Sequence, residues 1–311
     1  MRAPRIAILC GANLWHVDDL LRAAKLRDIR LEIADPEKLR AECPSAEGSS
    51  PAVRCGGLEL TEFDSLVVRS VPGGSLEQVI YRMDALQALQ SAGVAVINPP
   101  KALEAAVDKY LCLCRLQDAG LPVPRTLVCE DPQEAMEAFA ELKGHAVLKP
   151  LFGSEGRGIL RLRSIEDARK AFEEITSARG VFYLQEFIDH GGADLRLLVI
   201  DGQVTASMTR KAPPGEWLTN IARGGSARSI EADAVLENLA VRAAAAVGAE
   251  IAGVDILQGP DGAPRILEVN AIPGWRAISE VSGKDISLAV LDYVLARTAE
   301  RESEPAGALQ P

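Results

Sequence analysis

Three side chains near the C-terminal end carry the sharpest chemical signal. Asp255 sits in the run GVDIL, and Glu268 and Asn270 sit in ILEVN, with QGPDGAP between the two runs. Residues i and i+2 of a strand face one side, so Glu268 and Asn270 point together. A hairpin turning at Asp261-Gly262 brings Asp255 across from them. Three hard oxygen donors on one face of otherwise apolar strands suit Mg2+ bridged to phosphates. Without a cation, two carboxylates buried there must be protonated or paired. A hydrogen-bonded structural pair is therefore the competing reading.

Further upstream, Lys149 opens the run KPLFGSEGRG, which ends at Gly158 and lies between the strand-like segments AVLK and ILRL. Gly153, Gly156 and Gly158 allow positive φ and close approach of backbone N–H groups to a ligand. Such a nest suits phosphate oxygens, although a glycine-rich hairpin turn reads equally well. The run is neither a Walker loop nor a dinucleotide fingerprint, because a strand follows it. Arg196, Arg210, Lys211 and Arg223 form a basic cluster, with Arg223 followed by two glycines. In an acidic chain this suggests anion recognition; a solvated basic face is the alternative. Gln185, Glu186, Phe187 and Ile188 end a strand ahead of Asp189 and Asp194. That arrangement fits an adenine edge and ribose hydroxyls, or a plain edge strand.

The elements that must position these groups fall into two patterns. From Arg5 to Ile97, short aliphatic runs (RIAILC, RLEI, SLVVR, VAVI) alternate with helical segments at 17–26 and 76–92, which predicts a small parallel α/β unit. The stretch 41–57, rich in Ser, Gly and Pro, reads as a loop or irregular hairpin. After Pro99-Pro100, helices are expected at 101–120, 131–142 and 165–177, with strands at 126–129, 146–149 and 159–162. From Val181 the grain turns to hairpins at Asp201-Gly202 and Asp261-Gly262, with helices at 231–247 and 286–299 and a frayed tail at 301–311.

The 311 residues are 48% hydrophobic and 25% charged, a globular composition with room for about two domains. A net charge of −10 disfavours nucleic acid and anionic lipid as partners. No run of apolar residues is long enough for a membrane span, and the amino terminus lacks a signal-peptide pattern, so a cytoplasmic location is expected. Cys112 and Cys114 would face different sides of a helix, which argues against a zinc pair. His16, His145 and His190 form no visible catalytic triad with the cysteines or serines.

Taken in order, Asp108-Lys109, VLK149-P with its glycine loop, QEFI, D194-L-R196, N220-I-A-R223-G-G, GVD255 and E268-V-N270-AIPG resemble the ATP-grasp superfamily. The likeness is specifically to its RimK-like α-L-glutamate ligase branch and covers about residues 90–290, with the first 90 similar in outline to the domain that precedes the grasp. The resemblance implies an α/β fold, α+β in its catalytic part. It would comprise a pre-ATP-grasp domain (1–99), a central or lid subdomain (100–180), a C-terminal subdomain (181–300) and a flexible tail (301–311). It further implies that Lys109 and Lys149 touch the ATP phosphates and that the loop from Gly153 through Ser154 and Gly156 to Gly158 closes over them. Glu186, Phe187 and Ile188 would frame the adenine, with Asp194 in the nucleotide site and Asn220 near the phosphates. Asp255, Glu268 and Asn270 would hold Mg2+, two ions in all, with Mn2+ able to substitute. Lys149, Arg210 and Arg223 would carry transition-state charge.

The chemistry implied is ATP-dependent joining of a carboxylate to an amine through an acylphosphate, with no covalent enzyme nucleophile. The partners expected are a small-molecule carboxylate acceptor, a tetrahydromethanopterin-type cofactor among them, or a protein C-terminus, with an amino acid such as L-glutamate as donor. Homo-oligomers are common among such proteins. The chain departs from the family at Leu218, where an arginine is frequent; this bears on the acceptor more than on the nucleotide. A non-enzymatic ATP-binding module is the alternative reading.

Overall fold

The computed structural model describes residues 2–11, 15–43, 51–153 and 156–303. The aliphatic runs of the N-terminal third form strands wherever both faces can be covered. β1 (Ile6–Leu9) is followed by α1 (Trp15–Leu26) and β2 (Leu31–Ala34). A small antiparallel sheet, β3 (Leu39–Glu42), β4 (Ala52–Cys55) and β5 (Leu58–Glu59), occupies the stretch expected as a loop or irregular hairpin. β6 (Ser65–Val68), α2 (Leu76–Ser91) and β7 (Ala95–Ile97) complete the unit. β1, β2, β6 and β7 pair in parallel in the order β2-β1-β6-β7, and β1 and β6 are buried throughout. All-buried strands of this kind are what a parallel sheet with both faces covered demands. α2 starts at a reciprocal cap in which Ser75 Oγ accepts from Gln78 N (3.3 Å) and Ser75 N donates to Gln78 Oε1 (3.0 Å).

The segment expected as one helix from 101 to 120 is two: α3 (Pro100–Val107) and α4 (Lys109–Asp118). Asp108 breaks it. Its backbone is extended (φ −85°, ψ 103°) and its carboxylate accepts from Tyr110 N (2.9 Å) and Leu111 N (3.0 Å). The break sets Lys109 at the first turn of α4 and thereby aims it.

β8 (Thr126–Cys129), α5 (Pro132–Glu141), β9 (Ala146–Lys149), β10 (Leu160–Leu162), α6 (Ile165–Ser177) and β11 (Phe182–Glu186) build an antiparallel sheet, β10-β9-β11-β8, covered by α5 and α6. These elements share their own core around Phe139, Phe172, Phe182 and Leu184. β11 lies past the boundary expected near 180, yet both its neighbours, β8 and β9, precede that boundary.

The larger antiparallel sheet runs β14-β13-β12-β15-β16, from β12 (Ala193–Ile200), β13 (Gln203–Lys211), β14 (Ser226–Ser229), β15 (Ile251–Gln258) and β16 (Pro264–Asn270). The hairpins turn at Asp201-Gly202 and Asp261-Gly262 as their residues predict. α7 (Ala234–Val247) begins three residues later than expected, after the cap at Asp233, and ends at left-handed Gly248. α8 (Arg276–Ser282), which the sequence pattern did not suggest, precedes α9 (Ile286–Ser303). The tail expected from 301 is helical through Ser303, and 304–311 lie outside the described residues.

The parallel sheet and this larger sheet share two hydrophobic cores, one joining Leu9 and Val68 to Val254 and Ile256, the other joining Ile6 and Ile8 to Leu198 and Trp275. Asn98 pins them together. Its buried amide donates to Ile251 O (2.7 Å) and Ala271 O, and accepts from Glu250 N (2.7 Å) and Ile251 N (2.8 Å).

Candidate active site

A cleft partly open to solvent lies between the β10-β9-β11-β8 sheet and the larger antiparallel sheet. One wall is cationic. Lys149 ends β9 fully inside the protein, donating from Nζ to Gln185 Oε1 on the neighbouring strand (2.7 Å). Burial, with Lys109 adding to it, pushes its ammonium down to about 8. Lys109 Nζ donates to Gly153 O (2.9 Å), and burial lowers its ammonium too. Gly156, buried in the glycine loop at φ +71°, lies so close to Asn220 that a Cβ there would fall 2.6 Å from Asn220 Oδ1. The loop thus rests against the segment that carries Trp217, Leu218, Thr219 and Asn220, all four of which line the cleft. Ser154 lies outside the described residues.

The opposite wall holds charges that are already paired. Asp255 and Glu268 face each other across the β15–β16 ladder beside a β-bulge, and both line the cleft. Residues directly opposite in an antiparallel pair share a face. The Asp255 carboxylate accepts from Arg196 Nε and Nη2 (both 2.6 Å), and Arg210 Nη2 lies 2.9 Å from its Oδ2. Arg210 also forks onto Asp194, with Nε 2.8 Å from Oδ1. Burial alone would raise the Asp255 carboxyl and lower the Arg210 guanidinium. Ion pairing wins: Arg196 and then Arg210 hold Asp255 well below the usual carboxylate range, and Asp255 with Asp194 holds Arg210 above the usual guanidinium value. Arg196 and Arg210, expected as anion recognisers, are thus occupied by aspartates. Asp194, expected in the nucleotide site, is taken in turn by Arg210, although it does line the cleft.

Asn270 shares the ladder face but does not line the cleft. It sits in register with Gly253, and its Oδ1 accepts from Ile272 N (2.9 Å). Among the described residues, no three His, Cys, Asp or Glu side chains cluster as a ready metal cage. The donor set still fits a hard cation: Asp255 and Glu268 present carboxylate oxygens on one wall, with the Asn270 amide on the same strand face.

Gln185, Glu186, Phe187 and Ile188 line the far end, with Val147, Ile159, Leu257 and Leu267 as apolar surface. The Glu186 carboxylate turns aside to accept from Arg125 N (2.9 Å). Phe187 stacks on His145 (centroids 4.5 Å apart), lies 3.4 Å from the Arg161 guanidinium carbon and meets Trp217 edge-on at 5.9 Å. Arg223 is exposed and off the cleft lining, against the glycine loop near Gly156. Its two glycines have a backbone cause: Gly224 is left-handed, and a Cβ on Gly225 would fall 2.5 Å from Thr219 O. The sequence reading missed Gln185 as the partner of Lys149, and also Trp217 and Arg157 in the lining. For Gln185 a signal existed, a polar side chain in an otherwise apolar strand run.

Residues 106–294 match the RimK-like ATP-grasp domain and residues 5–103 the RimK pre-ATP-grasp domain. The chain belongs to the RimK-like ATP-grasp family. This RimK-like protein is similar to a tetrahydromethanopterin:alpha-L-glutamate ligase of Methanosarcina acetivorans, at 33% identity over 309 residues, 90% of this chain and 95% of that one. It is similar to a probable alpha-L-glutamate ligase of Thioalkalivibrio sulfidiphilus, at 32% over 293 residues, 93% and 95% of the two chains. The ATP-grasp ligase PsnB, solved with minimal precursor, Mg and ADP, superposes with a TM-score of 0.72 at 25% identity, over 94% of this chain and 98% of that one. Like its family, the protein is an enzyme, a carbon–nitrogen ligase. No helix among the described residues is long and apolar enough to cross a membrane.

Proposed function

We propose that the protein uses ATP and Mg2+ to join L-glutamate to a carboxylate of a small molecule, a pterin cofactor of the tetrahydromethanopterin type being the acceptor class that its relatives' names point to. The observation that supports this reading is the facing of buried Lys149, half-buried Lys109 and a glycine loop against Asp255 and Glu268 across one cleft. The acceptor's carboxylate oxygen attacks the γ-phosphorus, the bond to the β-phosphate oxygen breaks, and ADP leaves. The amine nitrogen then attacks the acylphosphate carbon, the carbon–oxygen bond breaks, inorganic phosphate departs, and the amine proton passes to solvent.

Lys149 and Lys109 hold the phosphates, and the N–H groups of Gly153, Gly156 and Gly158 cradle them. The apolar slot of Val147, Ile159, Leu257 and Leu267, edged by residues 185–188, takes the base. Asp255, Glu268 and Asn270 would hold Mg2+, two ions in the full set with Mn2+ as a substitute, whose charge offsets that of the phosphates. Arg196 and Arg210 fix the rotamer of Asp255, and Arg223 braces the glycine loop. Three parts then follow: a substrate-facing unit at 1–99, a central unit from 100 to about 180 and a C-terminal unit to about 300.

The test incubates the protein with ATP, Mg2+, isotope-labelled L-glutamate and a metabolite extract, followed by mass spectrometry and ADP assay. Labelled product formed in step with ADP is the expected result. ADP release without any labelled adduct would remove the glutamate-ligase reading.

A further inference from the structure

The parallel sheet holds a cation that the nucleotide cleft does not use. Arg69 follows β6 directly and is 7% exposed. Its backbone N donates to Leu9 O (2.8 Å), so it sits where β1 and β6 end side by side. The chain turns outward from these two strands in opposite directions, β2 flanking β1 and β7 flanking β6. The crevice outside the carboxyl ends of two such strands is where open α/β sheets bind ligands.

Around Arg69 the groups are polar but uncharged, or apolar. Nη2 donates to Pro273 O (2.8 Å), and the guanidinium carbon lies 4.0 Å from the centre of the Trp275 ring. Nε is buried without a hydrogen-bond partner, and no carboxylate lies within 4.0 Å among the described residues. Burial, opposed only by the Cys10 thiol, pushes the guanidinium down to about 9. His16 adds no second positive charge: burial, with Arg69 adding to it, lowers the imidazole to about 4, and its Nε2 accepts from Trp275 N (3.1 Å). A buried N–H left unsatisfied beside an uncompensated charge is costly. The unsatisfied Nε–H belongs to a guanidinium, the group whose paired donors match a carboxylate's two oxygens.

The position is also right for a substrate. Pro273 follows Asn270 by three residues and packs on Gly253, where a Cβ would fall 3.2 Å from Pro273 Cβ and 3.7 Å from Arg196 Nε. Arg69 is thus one proline away from the Arg196–Asp255 pair on the cleft wall.

We propose that Arg69 is the carboxylate hook of the substrate site, gripping a non-reacting carboxylate of the amino acid or of the acid acceptor. This rests on the ligase reading above and extends it to a residue outside the nucleotide cleft. The experiment titrates full-length wild type, Arg69→Gln and Arg69→Lys calorimetrically with AMPPNP and Mg2+, then with L-glutamate or glutarate on top. In Arg69→Gln the AMPPNP affinity stays within about twofold while carboxylate affinity falls about tenfold or more, and Arg69→Lys falls less. Loss confined to L-glutamate identifies the amino acid as the source; loss confined to glutarate identifies the acid. In wild type labelled with 15N-arginine, the Nε–H signal absent from Arg69→Lys shifts on adding the carboxylate, a readout that survives misfolding of Arg69→Gln. Unchanged carboxylate affinity in a folded Arg69→Gln, an unmoved Nε–H signal, or a wild type that binds neither carboxylate overturns the proposal. A wild type that binds carboxylate but not AMPPNP instead overturns the ligase reading.

Discussion

Lys149 and Arg210 are comparably buried on facing walls of one cleft, yet their charges live in opposite conditions. Lys149 has a neutral amide as hydrogen-bond partner and an ammonium lowered to about 8 by burial. Arg210 is clasped by Asp194 and Asp255 and held above its ordinary value despite burial. Glu268 and Asp255 act on Lys149 only from a distance and do not offset its burial, so an incoming anion relieves a cost that the directly paired Arg210 does not carry. On the proposed reading, the lysine wall serves a ligand and the arginine wall serves geometry.

The sharpest way to break this contrast is catalytic. Lys149→Ala and Glu268→Ala are each expected to lower ADP release by about a thousandfold or more, and Lys149→Ala also to weaken ATP binding. Wild-type rates in both would dissolve the site. Next comes stability. Arg210→Gln should cost roughly 3–5 kcal/mol in chemical denaturation, because it strands the Asp194 carboxylate in the interior. Lys149→Met should leave stability within about 1 kcal/mol or raise it. Equal losses in the two would mean that the walls do not differ.

A third test uses pH. A folded value near 8 against 10.5 in the unfolded chain means that the native protein releases this proton first. ATP affinity should therefore fall as pH rises through about 8, while the group's contribution to stability grows up to 10.5. Lys149→Arg should move the alkaline limb of ATP binding upward, and a binding curve flat from pH 7 to pH 9 (about one decade either side of this titration) would count against the assignment. The smallest effect is expected at Gly156→Ala, where a left-handed backbone costs about 1–3 kcal/mol and the new methyl meets Asn220. Its signature is a severalfold higher KM for ATP with kcat nearly kept.

Much of this was legible in the residues because the signals were local. Alternating strands flanking Asp-Gly turns gave both hairpins, and the facing of Asp255 and Glu268 follows from period two together with the turn at Asp261-Gly262. What escaped was non-local or depended on a single residue. The pairing of Arg196 with Asp255 spans 59 positions and arises from strand register, which no short window contains. Asp108 splits a helix that periodicity runs straight through, because one side chain satisfies two backbone donors there. Asn270 shares its face with Glu268 as expected, and its amide oxygen also accepts from Ile272 N, a local bond that strand periodicity does not show. The basic cluster was read for its sign, and only the folded arrangement shows which of those charges have been cancelled.

The four bonds of the Asn98 amide have a mechanical consequence. Since they weld the end of the parallel sheet to the hairpin bearing Asp255 and Glu268, those parts travel as one block, whereas β8–β11 pack around a core of their own. In the proposed complex, a nucleotide gripped by Lys149 on one side and by the acidic hairpin on the other would be the strut between the two. Its departure should leave the smaller block with the faster amide hydrogen exchange.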